Sequence, residues 1–364
     1  MNFQISRAMK VKELFIVAFI AGFLLCFLPS VAQQNIDHAS LLEYYDNSGK
    51  PVPVSTPADW YLRRQQILNG MQLAMGDLPD RRDLIDLDIE IVNEIKGKGF
   101  IRQSITFANE TGDRIPALLY IPSGPKNEDK LPAMLALHPT GPLGKLIVAG
   151  EGPLGNRQYG LELAQRGYVV LCPDYPSFGD YEYDFEQDNY LSGTMKGISN
   201  HMRCVDLLES LEFVNSERIG VIGHSLGGHN AMFVGVFDQR LKVIVSSCGW
   251  TPFHDYYDGD IKGWTSLRYM PRLKESYLLD PDLVPFDFYE VVAALAPRPF
   301  FSNSPLHDSN FSVEGVRKGI IEATKIYHLL NEDEKLRVTY PDCEHDFPAK
   351  IRLDAYNFID DALN

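Results

Sequence analysis

The sequence predicts an α/β fold, with a mostly parallel central sheet flanked by helices and antiparallel strands leading into it. Three observations carry this expectation. From about residue 130, short apolar runs such as Ala133 to Leu137 and Tyr168 to Cys172 alternate with segments of helical length, the grammar of parallel strands joined by crossover helices. Before that point the apolar runs are separated only by tight turns, which suits antiparallel neighbours. The chain has 364 residues, 45% hydrophobic and 23% charged, a composition that fits a folded globular protein and no fibrous or disordered one.

Each element follows in order. Residues 1–32 read as an export signal: Arg7, Lys10 and Lys12 precede an apolar run from Leu14 to Leu28, and Ser30-Val31-Ala32 offers a small-x-small cleavage site. The run is short for the roughly 20 residues that span a bilayer. Residues 33–85 form an N-terminal helical extension. Within it Trp60, Ile67, Leu68, Met71 and Met75 share a helical face that stops at Gly76-Asp77-Leu78-Pro79 and should dock on the rest.

The domain proper runs from 86 to 364. Strand-like runs at 87–95, 100–107 and 115–121 are divided by Gly97-Lys98-Gly99 and by Glu110-Thr111-Gly112-Asp113. Strands at 133–137, 168–172 and 219–222 then alternate with helices near 159–165 and 195–213. A helix near 228–237 and strands at 243–247, 299–302 and 336–340 follow, with a helix near 313–330 and a closing helix from Ala349. Residues 249–285, rich in Tyr, Trp and Asp, are too long for a plain connection and read as a cap over a functional site.

Charge and cysteine usage exclude several classes of function. Lys plus Arg is 34 against 49 Asp plus Glu, a net charge of -15 that repels nucleic acid and anionic lipid. Cys172, Cys204, Cys248 and Cys343 are too widely spaced for a disulfide framework or a close zinc ligand pair, and buried thiols are the expected state.

The strongest chemical signal is Gly223-His224-Ser225-Leu226-Gly227-Gly228, directly after a strand and directly before a helix. This is the context of a nucleophile elbow, in which a serine is lifted out of the sheet by a strained turn. A serine hydroxyl needs a base, and the base needs an acid to orient it. Asp308 and His345 follow later strands in the required chain order. Asp174 is a rival for the acid. His224, His229, His307, Asp342, Glu344 and Asp346 read as packing or solvated loop groups. Trp250 and Trp264 in the insertion, with Tyr175, are candidate substrate contacts that could stack on sugar rings.

With these residues in place, the chain resembles the α/β-hydrolase superfamily, and within it the secreted esterases of the acetyl xylan esterase and dienelactone-hydrolase-like kind. The resemblance covers most of the chain after residue 32. It rests on the 66–79 helix and turn, His138-Pro139-Thr140-Gly141, Arg166 to Val170, the 174–179 turn, the serine elbow, Ala296-Pro297-Arg298-Pro299 and the loops of Asp308 and His345. It implies catalysis by Ser225, Asp308 and His345, an oxyanion hole from the backbone N–H of Leu226 and of Thr140 or Gly141, and no metal or organic cofactor. Pro139 departs from the His-Gly pair common in the family and has no N–H to give.

The function so implied is an exported serine esterase that deacetylates polysaccharide or oligosaccharide fragments. A glucuronoyl- or feruloyl-type esterase, a peptidase of the prolyl-oligopeptidase kind and a hydrolase-fold binding module without catalysis are the alternatives.

Overall fold

The computed structural model describes residues 37–123 and 130–363, which belong to one compact unit; the expected export segment lies outside the described residues. The described chain opens with a small antiparallel sheet of β1 (Glu43–Tyr45) and β2 (Pro51–Pro53), then α1 (Pro57–Met75). Thr56 and Asp59 form a reciprocal capping box at the α1 N-terminus, and Pro57 fills the first turn, where its missing N–H costs nothing.

The helix docks as its sequence predicts. Trp60, Ile67, Met71 and Met75 are buried, and the Arg63 guanidinium meets the buried Glu290 carboxylate at 2.5 Å. Arg64 donates to the carbonyls of Ala294 and Val236.

Three antiparallel strands follow, β3 (Glu90–Lys96), β4 (Phe100–Glu110) and β5 (Asp113–Pro122). Thereafter strands and helices alternate: β6 (Leu131–Leu137), α2 (Tyr159–Gln165), β7 (Val169–Pro173), α3 (Gly193–Ser210), β8 (Val214–His224), α4 (Leu226–Phe237) and β9 (Leu241–Ser247). The chain continues with α5 (Arg272–Glu275), α6 (Phe288–Ala294), β10 (Phe300–Asn303), α7 (Val313–Leu329), β11 (Leu336–Thr339) and α8 (Ala349–Leu363). No helix among the described residues is long and apolar enough to cross a membrane.

Nine strands form one sheet in the order β11-β10-β9-β8-β6-β7-β5-β4-β3. From β7 to β11 every pairing is parallel, and β5 joins antiparallel to β7. Because β6 lies between β7 and β8, the order of strands reverses there, and the loops leaving β6, β8, β10 and β11 emerge at the same end of the sheet. Open α/β sheets bind their ligands outside the carboxyl ends of strands at such a reversal.

Each face of the sheet carries its own apolar core. One lies under α1, α3, α4, α6 and α7, and the other under α2 and α8. β8 begins at Val214, five residues before the expected 219–222 run. Its polar start, Asn215-Ser216-Glu217-Arg218, resembles a loop in composition but still continues the strand after a register shift against β6.

The insertion at 249–285 folds as a run of short helical turns with a core of its own. Trp264 stacks on His229 of α4 with ring centroids 4.6 Å apart, and it also packs near Tyr256, Phe288 and Phe311. Trp250 is buried and donates from Nε1 to Ser302 Oγ at 3.0 Å.

Candidate active site

Ser225 stands at the junction of β8 and α4 with φ 56° and ψ -120°, a backbone conformation that L-residues avoid and that a tight strand-to-helix turn imposes. The flanking glycines make that turn possible. A Cβ at Gly223 would lie 2.0 Å from the Gly227 carbonyl oxygen, and one at Gly227 would lie 2.0 Å from the Leu137 carbonyl oxygen. The Ser225 amide donates to Ser247 O at 2.8 Å, tying the elbow to β9. Leu226 is the first residue of α4, so its N–H belongs to the helix end that has no intrahelical acceptor.

Asp308 leaves the loop after β10, and His345 leaves the loop after β11. They meet, with His345 Nδ1 2.9 Å from Asp308 Oδ2 and 3.0 Å from Oδ1. A carboxylate can only accept, so Nδ1 is the donor, and in the neutral form of the ring Nε2 holds the lone pair. The Asp308 side chain is 1% exposed, and its Oδ1 also accepts the backbone N–H groups of Asn310 and Phe311 at 2.8 and 3.2 Å. These bonds hold the carboxylate independently of the histidine.

A second network holds the histidine loop from behind. Arg157 donates from Nη2 to the His345 carbonyl at 3.0 Å and from Nη1 to Asp346 Oδ1 at 2.5 Å. Asn303 Nδ2 donates to the Asp346 carbonyl at 2.8 Å, and Asn156 Nδ2 donates to Asp346 Oδ2 at 2.7 Å. Burial opposes the charge on Asp346, but the bonds from Arg157, the Phe347 amide and Asn156 outweigh it and hold the carboxyl below its ordinary pKa.

On the other side of the site, His138 fixes the loop that follows β6. Its Nε2 accepts the Tyr175 amide at 2.9 Å, so Nδ1 is the donor to the Pro139 carbonyl 2.7 Å away. Burial keeps this ring neutral by pulling its pKa down. Beyond it, the buried Asp174 carboxylate accepts from Lys145 Nζ at 2.5 Å, the Lys145 amide at 2.7 Å and the Asp180 amide at 2.9 Å. Asp174 is thus a clamp on the 141–147 segment and is fully engaged away from His345.

A cavity of about 360 Å³ opens beside the elbow. Ser225, His345, His224 and Thr140 line it together with Gly141 and Arg157. The structure therefore gathers Ser225, His345, Thr140 and Gly141 on one cavity, with Asp308 behind the histidine and Leu226 next to the serine.

Trp250, Trp264 and Tyr175 go elsewhere. Both tryptophans lie in the apolar core, and the Tyr175 hydroxyl sits 2.7 Å from both the Gly193 and the Arg268 carbonyl oxygens, donating its one hydrogen between them. None of the three lines the cavity, and neither does any residue of 249–285; its outer wall comes from 142–154. The cap reading of the insertion gives way to this wall. The aromatics there satisfy their own core, which a sequence rich in Trp and Tyr does not distinguish from a sugar platform.

Of the remaining candidates, His307 pairs with Asp342 on the surface at 2.8 Å, and His229 is buried against Phe233 and Trp264. His224 packs 4.9 Å from the His345 ring and bonds to Ser247 Oγ, its pKa held well below the ordinary value by burial first, then by Arg157 and His345.

Sequence reasoning missed Arg157, and it read Cys248 as a buried thiol without placing it beside Asp308 and His345. Cys248 directly follows β9 at φ 49°, and burial, then the neighbouring Asp308 carboxylate, pushes its thiol pKa up. Cys248, Asp308 and His345 have ligand atoms within 4.8 Å of one another, a donor set suited to a soft divalent cation, although the Asp308–His345 bond already uses two of the three. All four cysteines of the described residues stand as free thiols.

Comparison with known proteins follows the same lines. Residues 158–352, more than half of the chain, match the model of the prolyl oligopeptidase family. The Bacillus subtilis (strain 168) protein YtaP is 28% identical over 311 residues, covering 82% of this chain and 97% of its own. A glucuronoyl esterase from Solibacter usitatus superposes with a TM-score of 0.69 at 18% identity, covering 90% of this chain and 98% of its own. Acetyl xylan esterase 1 from Thermoanaerobacterium sp. JW/SL YS485 does so with a TM-score of 0.54 at 15% identity, covering 83% of this chain and 94% of its own. At these identities the two structures establish the fold, that of the α/β-hydrolases.

Proposed function

We propose that this chain, which belongs to the prolyl oligopeptidase family, works as a serine esterase on acylated carbohydrates, with Ser225 as nucleophile, His345 as general base and Asp308 as the acid that orients it. The observation that carries the reading is the buried Asp308 carboxylate on His345 Nδ1, which orients the ring so that Nε2 is the acceptor of its neutral form, with His345 and Ser225 lining the same cavity.

In the first half-reaction, Ser225 Oγ adds to the ester carbonyl carbon while its proton passes to His345 Nε2. The tetrahedral intermediate collapses, the C–O bond to the alcohol breaks, and the alcohol leaves with the proton from Nε2. Water then attacks the acyl-serine, gives its proton to the same nitrogen, and the acid departs as Ser225 recovers its hydrogen. Asp308 stabilises the imidazolium formed at each stage. The N–H of Leu226 and that of Thr140 or Gly141 receive the oxyanion, where loss of one such donor typically costs about 100- to 1000-fold in rate.

Two lines support a carbohydrate ester as substrate: the family resemblance of the sequence, and the structural neighbours, a glucuronoyl esterase and an acetyl xylan esterase. The export signal read in residues 1–32 supports action outside the cytoplasm. The family's name favours a peptidase as a second reading.

Purified protein and its Ser225→Ala variant should be compared on an aryl acetate, acetylated xylo-oligosaccharides and peptide anilides. Ester hydrolysis lost in Ser225→Ala supports the esterase. Unchanged turnover in the variant refutes it, and Ser225-dependent cleavage of the anilides alone favours the peptidase.

A further inference from the structure

The cavity's chemistry says what part of an ester it holds. Its wall beyond the oxyanion loop includes Pro142, Leu143, Ile147, Pro153 and Leu154, five apolar residues on the cavity that Ser225 also lines. Leu143 is 38% and Leu154 68% exposed, so both leucines of this wall keep apolar surface in water. Leucine at a rim gains nothing from that position until something apolar covers it.

Much of the polar lining already has partners: His224 bonds to Ser247 Oγ, and Asn310 Oδ1 accepts from the Tyr257 hydroxyl. Arg157 is the single Lys or Arg lining the cavity among the described residues, and its guanidinium is taken up by the Asp346 carboxylate and the His345 carbonyl. No Asp, Glu, Trp, Tyr or Phe contributes to the lining among the described residues. A sugar ring or a free uronate carboxylate would therefore find neither a stacking platform, nor hydroxyl acceptors of the carboxylate kind, nor an uncommitted charge. The volume, about 360 Å³, is that of a site for a ligand of many heavy atoms. An acetyl methyl would leave most of it to water.

We infer that this cavity seats an apolar substituent of the ester that is larger than acetyl, an aliphatic chain of four or more carbons or an aromatic ring, while any sugar remains outside. The inference rests on the serine-esterase reading and replaces acetyl with a bulkier apolar group as the preferred moiety. Leu143, Ile147 and Leu154 are its specificity-determining residues. The apolar group belongs either to the acid or to the alcohol, and the two share one recognition chemistry: burial of methylenes against leucine, isoleucine and proline, each methylene worth about fourfold when fully covered.

The experiment is a kcat/KM series on the full protein with two arms, p-nitrophenyl acetate, butyrate, hexanoate and benzoate in one, and ethyl, butyl, hexyl and benzyl acetate in the other. Ser225→Ala serves as the blank. Selectivity should rise at least ~10-fold from the smallest to the larger members of one arm, and that arm identifies which side of the ester is seated. In Leu143→Ser, Leu154→Ser and Ile147→Ala, the ratio of larger to smallest substrate should fall toward one. Ile147 is the buried member, so the two rim variants keep the test valid if Ile147→Ala fails to fold.

A flat or falling profile in both arms, with Ser225-dependent turnover intact, overturns the apolar-group assignment and leaves the esterase standing. A rising profile that the three variants leave unchanged overturns the assignment to this wall. Turnover that survives in Ser225→Ala, or no ester turnover at all, overturns the esterase reading and the inference with it.

Discussion

The two long connections of this chain, 139–157 after β6 and 249–285 after β9, differ in the opposite sense from their compositions. The first is built from glycine, proline and aliphatic residues, and it lines the cavity beside Ser225. The second holds the aromatic residues that look like a binding platform, and it folds inward, with Trp250 and Trp264 buried against the main core. The strand each leaves accounts for the difference. β6 lies where the strand order reverses, so its loop opens beside the elbow, whereas the chain after β9 packs over α4 and α6. A connection's place in the sheet order, more than its side chains, decides whether it faces substrate.

If that contrast is right, residues facing the cavity change rate or selectivity and leave stability alone, while residues of the insertion do the reverse. The largest effect should come from His345→Ala, which removes the proposed base and should lower kcat on the order of 10⁵- to 10⁶-fold with thermal stability nearly unchanged. Asp308→Asn keeps the shape but reverses the polarity of the bond to Nδ1. It should cost on the order of 10⁴-fold in kcat. A loss smaller than about tenfold would assign the orienting role elsewhere.

Trp264→Ala opens a large cavity between the insertion and α4, and chemical denaturation should read a loss of about 3–5 kcal/mol. Its specific activity per folded molecule should stay within a few-fold of wild type. A selective loss on polysaccharide over aryl esters would restore the insertion to a substrate role.

Asp346→Asn probes the scaffold shared by the histidine loop and the 156–157 end of the cavity wall. The folded Asp346 carboxyl titrates below its ordinary value of 3.8, so its contribution to stability is complete above that value and disappears as pH falls through the lower, folded-state pKa. The variant should therefore be less stable than wild type near neutrality, with the gap closing on the acid side. A gap of constant size from neutral pH to below pH 3.8 would remove titration of the Arg157–Asp346 pair as the cause. Smallest of all, Leu154→Ser should change stability by no more than about 0.5 kcal/mol, because the side chain is mostly in solvent, whatever it does to selectivity.

The sequence was most legible where local rules and topology agreed. The elbow could be read because its glycines are demanded by backbone oxygens 2.0 Å from where a Cβ would sit, and the same constraint shows in the spacing Gly223-x-Ser225-x-Gly227. The order of Asp308 and His345 after successive strands was legible because parallel connections leave few alternatives. Helix α1 announced both its face and its cap.

Less could be read of what depends on pairs distant in sequence. Arg157 gives no local sign that it will reach His345 and Asp346, some 190 residues away. Asp174 looks like a possible catalytic acid until Lys145 and the Asp180 amide are seen to hold it. The aromatics of the insertion were ambiguous for a simpler reason: a tryptophan that fills a core and one that stacks on a sugar carry the same letter.

The nucleophile can be tested without choosing a substrate. Treating the protein with a small fluorophosphonate and mapping the adduct by peptide mass spectrometry should place one phosphonyl group on Ser225, absent in Ser225→Ala and formed far more slowly in His345→Ala. A reagent that modifies another residue, or that labels Ser225 equally fast without His345, would contradict a hydroxyl activated by that imidazole.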